Sequence, residues 1–219
     1  MSDSSSNASQ DASDPPWVQW AQQLQALAQT GLTYAEDAYD TERYEQIRAI
    51  ATEMMAARSQ GLDAEYLVTL FAREEGYATP KVDVRGVVFR DEKLLLVKER
   101  SDGRWTLPGG WADAGESPRE SVEREVCEEA GLDVQAQKLL AVYDRAKHPH
   151  TPAFPFHVYK LFIRCHVTGG TPEAGHETSD VGFFAEDDWP PLSHSRVLPD
   201  QLRHLFAHAR HPDWPADFD

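Results

Sequence analysis

The sequence predicts an α/β fold, a layered domain with a mixed sheet, preceded by a small all-α segment. Three observations carry this. Strand-like runs surround one well-marked internal helix in the second part of the chain. Apolar residues recur at helical spacing from about Pro15 to Gly76. Between the two lies "ATPK", residues 78–81, whose proline stops a helix and favours extended chain. The expected organisation is a disordered tail at 1–14, a helical N-terminal domain at 15–78 and an α/β domain at 79–219.

In order, the tail "MSDSSSNASQDASD" has neither the basic region nor the hydrophobic core of a signal peptide. Trp17, Trp20, Leu24 and Leu27 mark a first helix. "TYAE", Thr33–Glu36, reads as a capping box that starts a second, whose apolar stripe is Ile47, Ile50, Ala51, Met54 and Met55. Asp63 is placed to cap a third, carrying Leu67, Leu70 and Phe71, with Gly76 to end it. Three helices in so few residues are marginal alone, so they are expected to pack on the rest of the chain or on a second copy. Next, "VDVRGVVF", a turn at "RDEK" and "LLLVKE" have hairpin spacing. "RWTLPGG" is a short strand ending in a Gly-Gly turn. "AQKLLAVYD", "FHVYKLFIRCHV" and "VGFFAE" are further strands, and "LPDQLRHLFAHA" is a closing helix.

Composition narrows the function. The 219 residues carry a net charge of −16, a field that repels nucleic acid and anionic membranes, so neither DNA nor a membrane is an expected partner. An anionic substrate requires local cations or a metal ion to overturn that field. Two cysteines, Cys127 and Cys165, form no metal or disulfide framework and read as free buried thiols. No apolar run is long enough to span a membrane. The expected location is cytoplasmic.

The internal helix "ESPRESVEREVCEEAG" starts and stops cleanly. Ser117 is a good N-cap, Pro118 takes the first helical position, Glu120 completes a capping box and Gly131 supplies a left-handed stop. Glu125, Glu128 and Glu129 fall within an arc of about 100° on this helix, with Val122 and Val126 beside it to anchor a sheet. On an ordinary helix such glutamates form a solvated face. Converging on one edge of a packed helix they repel one another, and a divalent cation relieves the repulsion; oxygen-only ligands suit Mg²⁺, with Mn²⁺ a substitute. Arg124 is placed to hold a carboxylate in a bidentate pair, with Glu116 its other natural partner.

Gly110, Glu116, Arg124-Glu125-Val126, Glu128-Glu129 and Gly131-Leu132 match the pattern GX5EX7REUXEEXGU, the Nudix box, at every fixed position. The chain therefore resembles the Nudix hydrolases. The resemblance implies an α/β/α sandwich and hydrolysis of a nucleoside diphosphate linked to a moiety X. It implies metal ligation by Glu125, Glu128 and Glu129 with the carbonyl of Gly109, oriented by Arg124. "AQTGLTYAEDAYDTERY", "GYATPKVDVRGVVF" and "PGGWAD" resemble a bacterial subfamily with a short helical N-terminal domain, which includes CDP-choline and ADP-ribose pyrophosphatases. That implies a homodimer through the N-terminal helices, which help frame the active site, and a small nucleotide substrate of CDP-choline or ADP-ribose type. Alternatives within the fold are nucleoside triphosphates or RNA 5′ ends as substrates, or a non-catalytic nucleotide sensor.

In several Nudix enzymes a glutamate in a later loop completes the site, and "HETSDVGFF" offers Glu177, with Asp180 and Glu186 as competitors. Trp111, after the Gly-Gly turn, suits either packing or substrate stacking. Tyr34, Tyr39 and Tyr44 are ordinary helix-packing aromatics, yet an aromatic cage would suit a choline head group. His148, His150 and His157 flank the Pro-rich "KHPHTPAFPFH" without a recognised zinc spacing; as loop residues they are candidates for substrate contact, His148 first.

Overall fold

The structure is a computed structural model that describes residues 15–57 and 64–219. Three helices, α1 (Pro16–Tyr34), α2 (Ala38–Ala56) and α3 (Ala64–Ala72), precede strands β1 (Lys81–Arg90), β2 (Lys93–Glu99) and β3 (Trp105–Thr106). Then come α4 (Pro118–Ala130), β4 (Leu132–Asp144), β5 (Val158–Gly170), β6 (Thr178–Phe184), α5 (Pro199–Arg210) and β7 (Asp217–Phe218).

β1 and β2 form a hairpin whose two loop residues, Asp91 and Glu92, both have positive φ (50° and 58°), the twist a two-residue connection needs. The two strands pair only at Phe89–Leu94 and Arg90–Lys93 before diverging. Beyond the hairpin β1 runs parallel to β5, which pairs antiparallel with β4, while β2 pairs antiparallel with β3 and β6. The sheet is mixed, as expected. Its two faces carry different cores. Val84, Val88, Leu95 and Val97 pack with Val122, Val126 and Ala130 of α4. Val87, Leu94, Leu96 and Phe162 pack with Leu202, Leu205 and Phe206 of α5. Alternation along β1 and β2 sends successive side chains to opposite helices, giving the α/β/α layering.

The N-terminal helices share a smaller core of Val18, Ala21, Met55, Leu67 and Phe71, which closes on Phe156 of the second part of the chain. Phe71 and Phe156 meet edge to face, ring centroids 5.7 Å apart. Several local expectations are corrected here. "TYAE" does not start α2: Thr33 and Tyr34 finish α1, and Asp37 is the cap, accepting from the N–H groups of Tyr39 and Asp40 at 2.8 Å. The short Asp37 carboxylate captures two orphan donors, which the Thr33–Glu36 pair does not reach. α1 buries Val18, Ala21, Gln25, Ala28 and Gln29, whereas Trp20 and Leu27 of the expected stripe are 57% and 62% exposed. α3 ends at Ala72, four residues before Gly76. Asp63 lies outside the described residues. Cys127 is exposed rather than buried, whereas Cys165 is buried. No helix among the described residues is long and apolar enough to cross a membrane.

Candidate active site

α4 is capped as its sequence dictates. Ser117 Oγ accepts from Glu120 N–H, the Glu120 carboxylate accepts from Ser117 N–H at 2.8 Å, and Gly131 ends the helix at φ 68°. Val122 and Val126, fully buried, seat it on β1 at Gly86, where an added Cβ would stand 2.4 Å from a Val126 methyl. The edge of β1 that β2 leaves is taken by residues 108–112. Gly86 N–H donates to Pro108 O, Val84 N–H to Gly110 O, and Ala112 N–H to Val82 O. Gly109, at φ 139°, lies against the β1 backbone, where a Cβ would fall 2.0 Å from Val84 O; only glycine allows this approach. Its N–H donates to Glu129 Oε2 at 2.9 Å. Helix, turn and strand edge are thereby locked together around one carboxylate.

Arg124 organises the rest. Its Nε donates to Glu116 at 3.0 Å, and its Nη1 donates to Glu125 at 3.0 Å and to Glu128 at 2.9 Å. Its hydrogen bonds to Glu116 first, then to Glu128, hold the guanidinium pKa above its usual value. Glu129 is 6% exposed, and burial pushes its carboxyl up to about 7, with Glu99 and Glu125 adding repulsion against Arg85 and the Gly109 N–H. Burial likewise raises Glu125 and Glu99. As placed, with Arg124 between Glu125 and Glu128, no three acidic, histidine or cysteine side chains among the described residues stand close enough to hold a metal ion. The donor set nevertheless fits a hard divalent cation. It is all oxygen, it concentrates buried carboxylates whose ionisation burial opposes, and Glu128 is exposed and tied only to Arg124.

These residues line a cleft of about 840 Å³. Glu177 also lines it, from a loop that packs on α4, where Thr178 Oγ1 donates to Glu129 O at 2.7 Å, and Arg100 donates to the Glu177 and His176 carbonyls at 3.0 and 3.1 Å. Asp180 and Glu186 are not among the lining residues, and Glu186 is paired with Arg210. Gly109 and Trp111 border the cleft as well, Trp111 half exposed. The structure does not bring His148, Tyr34 or Tyr39 there. His148 turns to Asp219 at 3.2 Å and packs on Tyr143. Tyr34 and Tyr39 stand exposed at the α1–α2 junction. The three histidines of the Pro-rich loop do not converge: His150 is buried against His194 O and Gln201, and His157 pairs with Asp144.

Sequence reasoning missed the floor of the cleft. Asp83 and Arg85, two apart on β1, point the same way, line the cleft and pair at 2.7 Å while largely buried; Lys160 of β5 joins Asp83. Burial brings the Lys160 amine down to about 8 against the pull of Asp83. Arg85 Nη1 also donates to Leu107 O at 3.1 Å. Glu99 is buried and held by Arg196 at 3.2 Å. The signal was the two opposite charges inside the apolar run "VDVRGVVF", which a buried strand does not tolerate unless they are paired.

Comparison with known proteins matches this architecture along the chain. Residues 79–205 match the NUDIX domain. The chain belongs to the Nudix family. Residues 15–71 match a second Nudix module, described as a UDP-X-like, N-terminal oligomerisation domain. A Nudix relative from Bacillus subtilis, YjhB, is 48% identical over 203 residues, covering 93% of this chain and 97% of its own; it carries a provisional ADP-ribose pyrophosphatase name. A solved structure of a UDP-X diphosphatase is 32% identical, with a TM-score of 0.60, over 93% of this chain and 98% of that one. An ADP-ribose pyrophosphatase structure from Streptococcus suis is 42% identical, with a TM-score of 0.58, over 64% of this chain and 100% of that one.

Proposed function

We propose that this Nudix pyrophosphohydrolase cleaves the diphosphate bridge of a small nucleoside diphosphate derivative, releasing a nucleoside monophosphate and phosphorylated X, with ADP-ribose the leading substrate. The observation that carries this reading is the cleft itself. Glu125, Glu128, Glu129 and Glu177 line it together with Arg85. Full-length similarity to YjhB favours ADP-ribose; UDP-linked sugars and CDP-choline come next.

Glu125, Glu128, Glu129, the Gly109 carbonyl and Glu177 are the residues that would hold Mg²⁺, or Mn²⁺ in its place. When bound, the ion supplies charge neutralisation on the phosphate oxygens and lowers the pKa of water. The protein's own part is positioning. Gly109 N–H fixes Glu129, Arg124 fixes Glu125 and Glu128, and Asp83 holds Arg85 toward the cleft, where its cationic plane meets phosphate. Glu177, exposed on the loop that packs against α4, either completes the ligand set or takes the proton from the attacking water.

The same reading makes the protein a homodimer through its N-terminal helices. Exposed Trp20, Leu27 and Ile50 offer the apolar contact, and the oligomerisation description of the matching module supports it. The test is a substrate panel with product identification, run with Mg²⁺ and with Mn²⁺. ADP-ribose, UDP-glucose or CDP-choline should exceed every nucleoside triphosphate in kcat/KM; a triphosphate that wins overturns the reading.

A further inference from the structure

Gln22, Gln25 and Gln29 lie on one face of α1, the face turned toward the second part of the chain. The outer two have evident work. Gln22 Nε2 donates to Phe154 O at 2.8 Å, and Gln29 Nε2 donates to the carbonyls of Glu75 and Gly76 at 3.3 and 3.2 Å. They fasten α1 to the loops on either side. Gln25, between them, is 3% exposed, and neither its Nε2 nor its Oε1 has a hydrogen-bond partner. A buried carboxamide without partners is unfavourable, and a leucine or methionine would fill the same place without that penalty.

Gln25 borders a second cavity, of about 1130 Å³, between α1 and the 152–157 loop. This cavity adjoins the catalytic cleft, for Trp111, Asp113, Pro152, Phe154 and Ser195 line both. Trp111 and Phe154 lie at the junction with ring centroids 6.0 Å apart and planes inclined by 34°. The principal charges at the rim are already engaged: Lys81 with Glu74 at 2.9 Å, and Glu116 and Asp113 with Arg124 at 3.0 and 3.3 Å. Among what this leaves for a ligand are aromatic surface and the unpartnered Gln25 carboxamide, its donor and acceptor side by side, with Glu75 and Tyr77 also on the lining. A neutral, planar heterocycle with a donor and an acceptor on one edge complements both, and a carboxamide pairs with such an edge through two parallel hydrogen bonds.

We propose that this cavity receives the nucleobase of the substrate, stacked on Trp111 and Phe154, and that the Gln25 amide recognises its hydrogen-bonding edge. Gln25 is then a specificity residue contributed by the N-terminal helices to a site whose chemistry lies on α4. The assignment rests on the diphosphate-hydrolase reading only in taking the ligand to be a nucleotide.

The experiment is titration calorimetry of the full-length protein, without metal, against AMP, CMP, GMP, UMP and ribose 5-phosphate, for the wild type, Gln25→Met and Gln25→Asn. At least one nucleotide should bind more tightly than ribose 5-phosphate. Gln25→Met, matched in volume, should weaken that nucleotide about tenfold, the scale of a lost pair of hydrogen bonds, and leave ribose 5-phosphate unchanged. Its thermal midpoint should not fall, because no partner is lost. Gln25→Asn, which keeps the amide on a shorter stem, should fall in between, and it carries the comparison if Gln25→Met does not fold. Equal affinities in wild type and variants overturn the proposal. So does selective weakening of ribose 5-phosphate, which would place X in the cavity, and so does a change of oligomeric state with unchanged nucleotide affinity, which would give the amide a partner in another copy. Absent hydrolysis of ADP-ribose with Gln25-dependent nucleotide binding would remove the activity and keep the pocket; hydrolysis with Gln25-independent binding would do the reverse.

Discussion

Replacing Gly86 by alanine tests how closely the box helix must sit on its strand. The new Cβ would stand 2.4 Å from Val126 Cγ2, 3.5 Å from Val122 Cγ2 and 3.6 Å from Pro108 O. Non-bonded carbons settle at about 3.5–4.0 Å, so α4 must retreat by roughly 1 Å or Val126 must leave its rotamer. Overpacking of this kind costs about 1–3 kcal/mol. The gain from a stiffer unfolded chain offsets about 0.4–1 kcal/mol, leaving a net loss of up to about 2.5 kcal/mol. The effect on rate is larger, because α4 carries Glu125 and Glu129 while Gly109, which bonds Glu129 at 2.9 Å, stays on the strand edge. A misplacement of about 1 Å lowers kcat on the order of 100-fold. Urea unfolding and steady-state kinetics on the best substrate of the panel measure both. Val126→Ala removes the clashing methyl, so the double variant should recover most of the rate lost in Gly86→Ala, and the two changes should be non-additive. Wild-type stability and rate in Gly86→Ala, or simple additivity in the double variant, would refute the close-packing argument.

His150 sets an acid limit on stability. Its Nδ1 faces His194 O at 2.9 Å and its Nε2 faces Gln201 Nε2 at 3.2 Å, while Gln201 Oε1 is engaged by Leu198 N–H, so a proton on Nε2 would meet a donor. Burial, with Lys160 and Arg145 nearby, takes the ring down to about 3 from 6.5. Between those values the unfolded chain binds the extra proton, so this contribution is intact above pH 6.5. It is lost toward pH 3 at up to about 1.4 kcal/mol per pH unit, a slope His150→Gln should reduce in urea titrations across that range. Glu177→Gln should lower kcat at least tenfold, with partial rescue by excess Mg²⁺ if Glu177 is a ligand and none if it is the base; a wild-type kcat excludes both roles. Trp20→Glu combined with Leu27→Glu should turn the oligomer into a monomer in light scattering, and a wild-type chain that is itself monomeric contradicts the interface.

What was legible in the sequence was what is local. Ser117, Pro118, Glu120 and Gly131 act within one turn of their own helix, so α4 and the facing of its carboxylates could be read directly. The β1–β2 hairpin was legible for the same reason. The floor of the cleft was not, because Lys160 meets Asp83 only through the parallel pairing of β1 with β5, 77 residues away in sequence. Nor does periodicity say which apolar side of α1 its own domain covers. Trp20 and Leu27 stand out in hydropathy, yet the tightly packed side uses Val18, Ala21 and Ala28, which let helices approach. His148 shares a loop with cleft residues Pro152 and Phe154 but is drawn away by Asp219, a contact that spans 71 residues. β7, two residues long, has no periodicity to detect.

The most direct test of the central claim, that the α4 carboxylates carry cation-dependent hydrolysis of a diphosphate, is the turnover of Glu129→Gln beside the wild type, each with Mg²⁺ and with EDTA. Glutamine keeps an oxygen for the Gly109 N–H and removes a charge that burial already opposes, so the fold should be retained, with no loss in thermal midpoint. The account predicts a fall in kcat of about 100-fold or more for Glu129→Gln, and no turnover by the wild type in EDTA. Near-normal turnover in Glu129→Gln, or full wild-type activity in EDTA, would contradict it.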